Sequence, residues 1–401
     1  MSDPLRTAKL VEIAELNPRL TESLDSDEMV SFIPMAAVDA ESASTTAGED
    51  RSYGDVSKGY TPFLDGDVLV AKITPCFENG KITQAKLSHR IGFGSTEFHV
   101  VRPLAGKADA RYLMHFLRQE YIRRDGEKKM TGSAGQRRVP EHFLAGLEVP
   151  APNLAEQRRI AEVLDRAQAL RAKRRAALAQ LDTLAQSIFL DLFASVDKKN
   201  WPLKTIADLA SPVEGSIRTG PFGSQLLHSE FVDDGVAVLG IDNAVHNEFR
   251  WGKPRFITEG KYRELKRYTV HPGDVLITIM GTCGRCAIVP DDVPPAINTK
   301  HLCCITLDRG WCLPPFLHAY FLRHPIAKRY LDRTAKGAIM AGLNMAIIKE
   351  MPIQVAPIKL QQEFVRRSAG VETLRSAENA SLSKLDDFLG TLQHHAFAGN
   401  L

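Results

Sequence analysis

"LDGDVLVAKI" at residues 64–73 and "HPGDVLITI" at 271–279 both carry Gly-Asp-Val-Leu at the head of an apolar run. Gly-Asp before two apolar residues reads as a turn that sets the register of a strand, which is a structural role. The recurrence matters more than the motif, because its surroundings recur in the same order. "AKLVEIAEL" (8–16) lines up with "WPLKTIADL" (201–209), and Phe116-Leu117-Arg118 lines up with Phe321-Leu322-Arg323. Gly132 falls on Gly337, Pro152 and Gln157 fall on Pro357 and Gln362, and Phe193 falls on Phe397. The offset drifts only between 193 and 207 residues, as loop insertions would produce. The chain is a duplicated pair of units.

Bulk composition sets the outer bounds. A chain of 401 residues, 44% hydrophobic and 25% charged, has the make-up of a globular protein with several domains. No apolar run approaches the length of a membrane span, and "MSDPLRTAKLVEIAEL" lacks the basic-then-apolar pattern of a secretory signal. The cytoplasm is the expected compartment. A net charge of +3 is too small to choose a partner, so local clusters must do so.

Within each unit, short β-rich runs such as "DVLVAKI", "FHVVRP", "VAVLGI" and "DVLITIM" alternate with Gly, Pro and Asn/Asp turns. A helix follows, and each unit closes on a much longer one. From Ile160, steps of three and four visit Val163, Ala167, Leu170, Arg174, Ala177, Leu181, Leu184 and Ile188, eight of nine apolar. From Leu360 the same stepping visits Phe364, Arg367, Val371, Leu374, Glu378, Ser381, Leu385, Phe388 and Leu392, seven of ten apolar. Seams this narrow need a partner helix, and each is the other's obvious partner. Asn153 and Glu156 form a capping-box pattern at the start of the first helix. Running from Leu154 to Val196, that helix would span roughly 60 Å. Arg174 and Glu378 interrupt the two seams near their middles, where paired polar residues commonly set register.

The expected fold class is therefore α+β: two mixed α/β domains in a pseudo-two-fold arrangement, separated by an antiparallel coiled coil of two long helices. The boundaries are 1–150 for the first domain, 151–198 for its long helix, 199–356 for the second domain and 357–401 for the second helix.

The chemistry is that of binding. No phosphate-cradling Gly-x-x-x-x-Gly-Lys, no Gly-x-Gly-x-x-Gly and no Gly-x-Ser-x-Gly occurs. Val293-Pro294-Pro295-Ala296 lacks both ends of an amino-methyltransferase tetrapeptide, and Glu127-Lys128-Lys129 and Glu264-Leu265-Lys266 lack the partner Asp of a nuclease. Cys283-Gly284-Arg285-Cys286 is half of a zinc or redox site, but the first unit keeps only Cys76 nearby. Structural cysteines are the simpler reading, with a zinc or redox protein centred on Cys283 and Cys286 as an alternative. Basic residues cluster in both units: Arg123, Arg124, Lys128, Lys129, Arg137 and Arg138 in the first, Lys328, Arg329, Arg333 and Lys336 in the second. Glycines, amides and hydroxyls among cations suit phosphate contact and base reading, although a solvated basic face is an ordinary use of any one of them. Arg171, Lys173, Arg174 and Arg175 on the first long helix suit either DNA or a protein partner.

This order of features resembles the DNA-specificity subunit of a type I restriction–modification system. The stretches carrying it are the two Gly-Asp-Val-Leu strands, "IRTGPFGSQLLHSEFVDDGVAVLGIDNA" (217–244), "PAPNLAEQRRIAEVLDRAQALRAKRR" (150–175), "PIKLQQEFV" (357–365) and "LQHHAFAGNL". The resemblance implies that each mixed domain is a target-recognition domain for one half of a split DNA site. It also implies a non-catalytic chain with no cofactor of its own, partnered by two methyltransferase subunits and by restriction subunits. S-adenosylmethionine, ATP and Mg would sit on those partners. A spacer near 60 Å exceeds a DNA turn of about 34 Å, so a non-contacted gap is expected between the half-sites.

Gly220-Pro221-Phe222-Gly223-Ser224 has no copy in the first half, so the two domains are expected to read different sequences. The candidate DNA-binding residues are Lys72, Lys81, Ser95, Thr96, Gln136, Arg137 and Arg138 in the first domain. In the second they are Arg218, Ser224, Gln225, Asn243, Arg285, Asn298, Thr299, Lys300 and Lys336. Gly80-Lys81 and Gly284-Arg285 read as an equivalent pair. The rival from another class is a two-headed scaffold for protein–protein interaction.

Overall fold

The computed structural model describes residues 6–45, 48–133, 135–193, 201–335 and 343–399. The chain divides into two compact units: residues up to Leu178 together with Ala377 onward, and Ala179–Ser376.

In the first unit, strands Ala14–Leu16, Phe98–Pro103, Val68–Ala71 and Ile82–Gln84 lie in that order in one antiparallel sheet. A second sheet has the order Glu49–Ser52, Met29–Ile33, Ile91–Gly94, Thr61–Leu64, its two central strands parallel. Thr7–Lys9 pairs with Glu148–Pro150. The second unit repeats this plan. Ile217–Thr219, Leu302–Ile305, Val275–Thr278 and Cys286–Ile288 form its antiparallel sheet. Phe231–Val232, Phe256–Ile257, Val236–Leu239 and Ala296–Asn298 form the other, its last pair parallel. Leu203–Thr205 pairs with Pro352–Gln354.

The Gly-Asp-Val-Leu strand is internal in each sheet and buried on both faces. Alternating side chains feed two cores: Val68 and Val70 enter one, Leu69 and Ala71 the other. Val275 and Ile277 divide from Leu276 in the same way. Ahead of each strand, Gly66 (φ 90°) and Gly273 (φ 80°) make a left-handed turn that a side chain would strain. The aspartate that follows caps the turn: Asp67 Oδ2 accepts from the Leu64 amide at 2.8 Å, and Asp274 Oδ2 from the His271 amide at 2.9 Å.

Both long helices have 40 residues, Leu154–Phe193 and Ile358–Phe397. Asn153 Oδ1 accepts from the Glu156 amide at 3.0 Å, but the Glu156 carboxylate turns to Arg159 instead of back to the cap. The expected capping box is thus half made. The repeat match at the second helix also shifts by one. Gln157 is buried with its amide on the Lys107 and Pro152 carbonyls, and Gln361, not Gln362, makes the same bonds to Trp311 and Ala356.

Each unit's core is closed by segments of both long helices, running antiparallel within that unit. In the first, Ile160, Ala161 and Leu164 share a core with Leu389, Leu392, Ala396 and Phe397. The Phe397 ring lies 5.1 Å from Tyr112 and 5.5 Å from Phe116. In the second, Phe189 and Phe193 pack on Phe364 at 5.6 and 5.5 Å. The seam's two polar interruptions meet in the first unit, with Arg174 Nη1 donating to both oxygens of Glu378 at 2.8 and 2.9 Å. Beside them Arg171 pairs with Asp386, and Arg175 with Glu41 on the Val38–Thr45 hairpin. Those arginines are committed to carboxylates of their own unit.

Candidate nucleic-acid interface

In the first unit the loops after Val68–Ala71 and Ile91–Gly94 are tied together by their backbones. The Lys72 amide donates to the Glu97 carbonyl (2.8 Å), Val139 to Lys72 (2.8 Å), Thr74 to Arg137 (2.9 Å) and Ala71 to Lys81 (3.0 Å). Lys72, Lys81, Ser95, Thr96, Gln136, Arg137 and Arg138, far apart in sequence, therefore gather at one end of the strand pair. Gln136 and Thr96 are exposed there.

Several of their charges are already engaged. Arg138 grips Glu97 through Nε (2.9 Å) and Nη2 (2.7 Å), and this hydrogen bonding holds the Glu97 carboxyl below the usual range. Arg137 lies 3.7 Å from Glu127, and Lys81 Nζ donates to the Met35 carbonyl at 2.9 Å. Nearby, Arg124 pairs with Glu120, Lys128 with Asp125, and Arg123 donates to the Glu78 carbonyl. Much of the basic cluster is thus neutralised internally. The loop's frame depends on Arg118, a half-buried guanidinium whose pKa is pushed down to about 10 by loss of solvent. It donates to the carbonyls of Gly80 (2.8 Å), Ile82 (3.1 Å) and Ala40 (2.7 Å). Neither Glu97 nor Arg118 was singled out in the sequence. The repeated Phe-Leu-Arg was the available signal for Arg118, and Glu97 adjoins Ser95-Thr96.

The second unit builds the same frame. Ile279 donates to the His301 carbonyl (2.9 Å) as Lys72 does to Glu97, and Thr278 donates to Arg285 (2.9 Å) as Ala71 does to Lys81. Lys81 and Arg285 thus occupy equivalent places, and Ser95-Thr96-Glu97 corresponds to Thr299-Lys300-His301. Gly220 donates to the Thr299 carbonyl at 3.3 Å and Thr299 to Leu239 at 2.9 Å, which brings in the Gly220–Gln225 loop. Arg285, Ser224 and Gln225 are exposed, and Thr299 and Lys300 half-buried. Burial, with the Lys300 and Arg255 charges adding to it, pushes the His301 imidazole down.

Three candidates have structural work that removes them from a readable surface. Arg218 is 8% exposed and donates to Asp274 Oδ2 (2.5 Å) and Thr306 Oγ1 (3.0 Å), neutralising a buried carboxylate. Asn243 is buried, its Oδ1 accepting from the Gly240 amide (2.8 Å) and its Nδ2 donating to Arg250 (2.9 Å). Asn298 is buried with Nδ2 on the Leu302 carbonyl at 3.0 Å. Lys336 lies outside the described residues.

Among the described residues, no group of three or more His, Cys, Asp or Glu side chains, at Cys283 and Cys286 or elsewhere, is placed to hold a metal ion. Cys286, Cys303, Cys304 and Cys312 are buried, and burial pushes all four thiols above their ordinary range. Among the described residues no helix is long and apolar enough to cross a membrane.

Residues 4–180 match the family model of the type I restriction modification DNA specificity domain. The specificity subunit of the type I restriction enzyme EcoAI from Escherichia coli is 43% identical over 152 residues, which are 38% of this chain and 26% of that protein. The matched stretch thus spans about a quarter of that relative's length. Over nearly the full length, the fold is shared with two solved chains at lower identity. One, from a study of complex assembly and conformational transition in the type I restriction–modification system, aligns with TM-score 0.57 at 16% identity, over 99% of this chain and 98% of that one. The other, a type I restriction–modification S subunit from M. genitalium, aligns with TM-score 0.57 at 15% identity, over 98% and 96%.

Proposed function

We propose that this chain, whose residues 4–180 match the type I restriction modification DNA specificity domain, is a member of that family and binds double-stranded DNA sequence-specifically, each unit reading one half of a two-part target. One observation carries the reading. The same backbone frame recurs in both units while its side chains differ: Ser95-Thr96-Glu97 and Lys81 in one, Thr299-Lys300-His301 and Arg285 in the other. A common frame with exchanged side chains is what a protein needs to present two sequences to one enzyme.

In this reading the chain is non-catalytic. It directs two methyltransferase subunits and the restriction subunits to the target, and S-adenosylmethionine, ATP and Mg belong to those partners. The cytoplasm is its place of work. Exposed Arg285 suits a bidentate contact to guanine, worth ~1–3 kcal/mol of discrimination. The test is to purify the chain with its methyltransferase subunit and map methylated adenines genome-wide, for the wild type and for Arg285→Ala. A two-part motif is expected, relaxed in one half only in the variant. Methylation without a two-part motif rejects the reading.

A further inference from the structure

Two large apolar side chains stand exposed inside the second loop cluster: Phe222 at 49% and Met280 at 38%. Their positions are held by the frame. The Gly220 amide bonds the Thr299 carbonyl, and a Cβ on Gly220 would lie 1.9 Å from the Asn298 carbonyl oxygen, so the chain before Phe222 lies directly on residues 298–299. Ile279, bonded to His301, sets Met280 beside that same segment. Each apolar residue is followed at once by a glycine with positive φ, Gly223 (56°) and Gly281 (71°), so each sits at the tip of a turn. The Phe222 tip is braced from below. Its amide donates to Gln225 Oε1 at 3.1 Å, and the Tyr268 hydroxyl donates to the same oxygen at 2.9 Å.

Around these tips lie Arg285, Lys300 and His301, and among the described residues no ion pair engages Arg285 or Lys300. An apolar side chain in a cationic, polar surface costs free energy unless the bound partner covers it with an apolar group. On the floor of the DNA major groove the one apolar group is the thymine C5-methyl. Among the described residues the first unit has no such pair: Phe222 lacks a counterpart, and Ile73, which stands where Met280 does, bridges to Arg138 and is half-buried.

We propose that Phe222 and Met280 read thymine in the second unit's half-site through its C5-methyl group. This rests on the DNA-reading function above and adds the chemical group that is sensed.

The test uses the full chain with its methyltransferase subunit and the mapped target duplex. Each thymine of the second half-site is replaced in turn by deoxyuridine, which removes only the methyl. The wild type is expected to bind at least one uracil duplex about fourfold more weakly, the worth of one buried methyl. Phe222→Ala and Met280→Ala, singly and together, should bring that ratio towards one while the melting profile and the co-purifying subunit are kept. A wild-type ratio of one at every thymine overturns the proposal. So does a ratio the variants leave unchanged, and loss of the methyltransferase subunit at an unchanged ratio assigns the two residues to a protein contact. Failure of the reading beneath it shows differently, as equal binding to target and scrambled duplexes.

Discussion

Asp67 and Asp274 are 2% and 1% exposed, and each needs a cation that sequence position alone does not name. Arg102 on the neighbouring strand serves Asp67 with a bidentate contact at 2.9 and 2.7 Å. At Asp274 the equivalent place belongs to Thr306, and Arg218 reaches in from the strand beyond. A buried carboxylate left alone costs about 3–5 kcal/mol, so Arg218 is bound to the core however well its neighbours suit DNA. Buried histidines give a pH signature at the same scale. Burial pushes His99 and His318 below the ordinary histidine value. His99 donates from Nε2 to the Val139 carbonyl (2.9 Å) and accepts at Nδ1 from Asn17 (3.2 Å), a neutral arrangement that a second proton would break. As pH falls through about 6.5 the unfolded chain takes up protons before the folded one does. Unfolding free energy should therefore drop between pH 7.5 and 5.5 in urea titrations, and His99→Gln should flatten that slope. A slope unchanged by the variant would place the effect elsewhere.

Among the elements, the long helices were the most legible, because a period of three and four sustained over ten turns has few other meanings. Even the meeting of Arg174 with Glu378 followed from their places in the two seams. The glutamines at the helix starts were less legible: two adjacent ones, Gln361 and Gln362, are indistinguishable until one is seen to be buried on the Trp311 and Ala356 carbonyls. The seam pair makes a prediction. Glu378→Ala strands a partly exposed guanidinium, so the cost should be about 1 kcal/mol, a fall of a few degrees in melting temperature. Arg174→Leu with Glu378→Leu should recover it, since apolar replacements of such a pair are commonly neutral or better. A double variant melting below the single one would show the pair to be worth more than apolar packing.

In the whole molecule, contiguous stretches are not folding units. The first unit's core contains Leu389, Leu392, Ala396 and Phe397, more than two hundred residues beyond its own sheets. Truncating a buried Phe typically costs about 3–5 kcal/mol, and here four apolar residues close the same core. A fragment ending at Leu178 should accordingly lack a cooperative thermal transition by circular dichroism, and a synthetic 377–401 peptide should restore one. Cooperative melting of the fragment by itself would show the closing segment to be dispensable. The first loop cluster was legible because its residues hang from the repeated strand. The Arg138–Glu97 pairing inside it was not, since it joins residues 41 apart whose only link is tertiary.

Sequence alone determined the duplication, the two seams and the turn ahead of each internal strand, because periodicity, repetition and turn-forming glycine are properties of neighbours along the chain. Tertiary structure decided which cations remain available to a ligand and which are consumed by buried carboxylates. It also decided that a remote helix end completes the first unit's core. Burial and charge pairing are properties of neighbours in space, and the chain brings those neighbours together only when it folds.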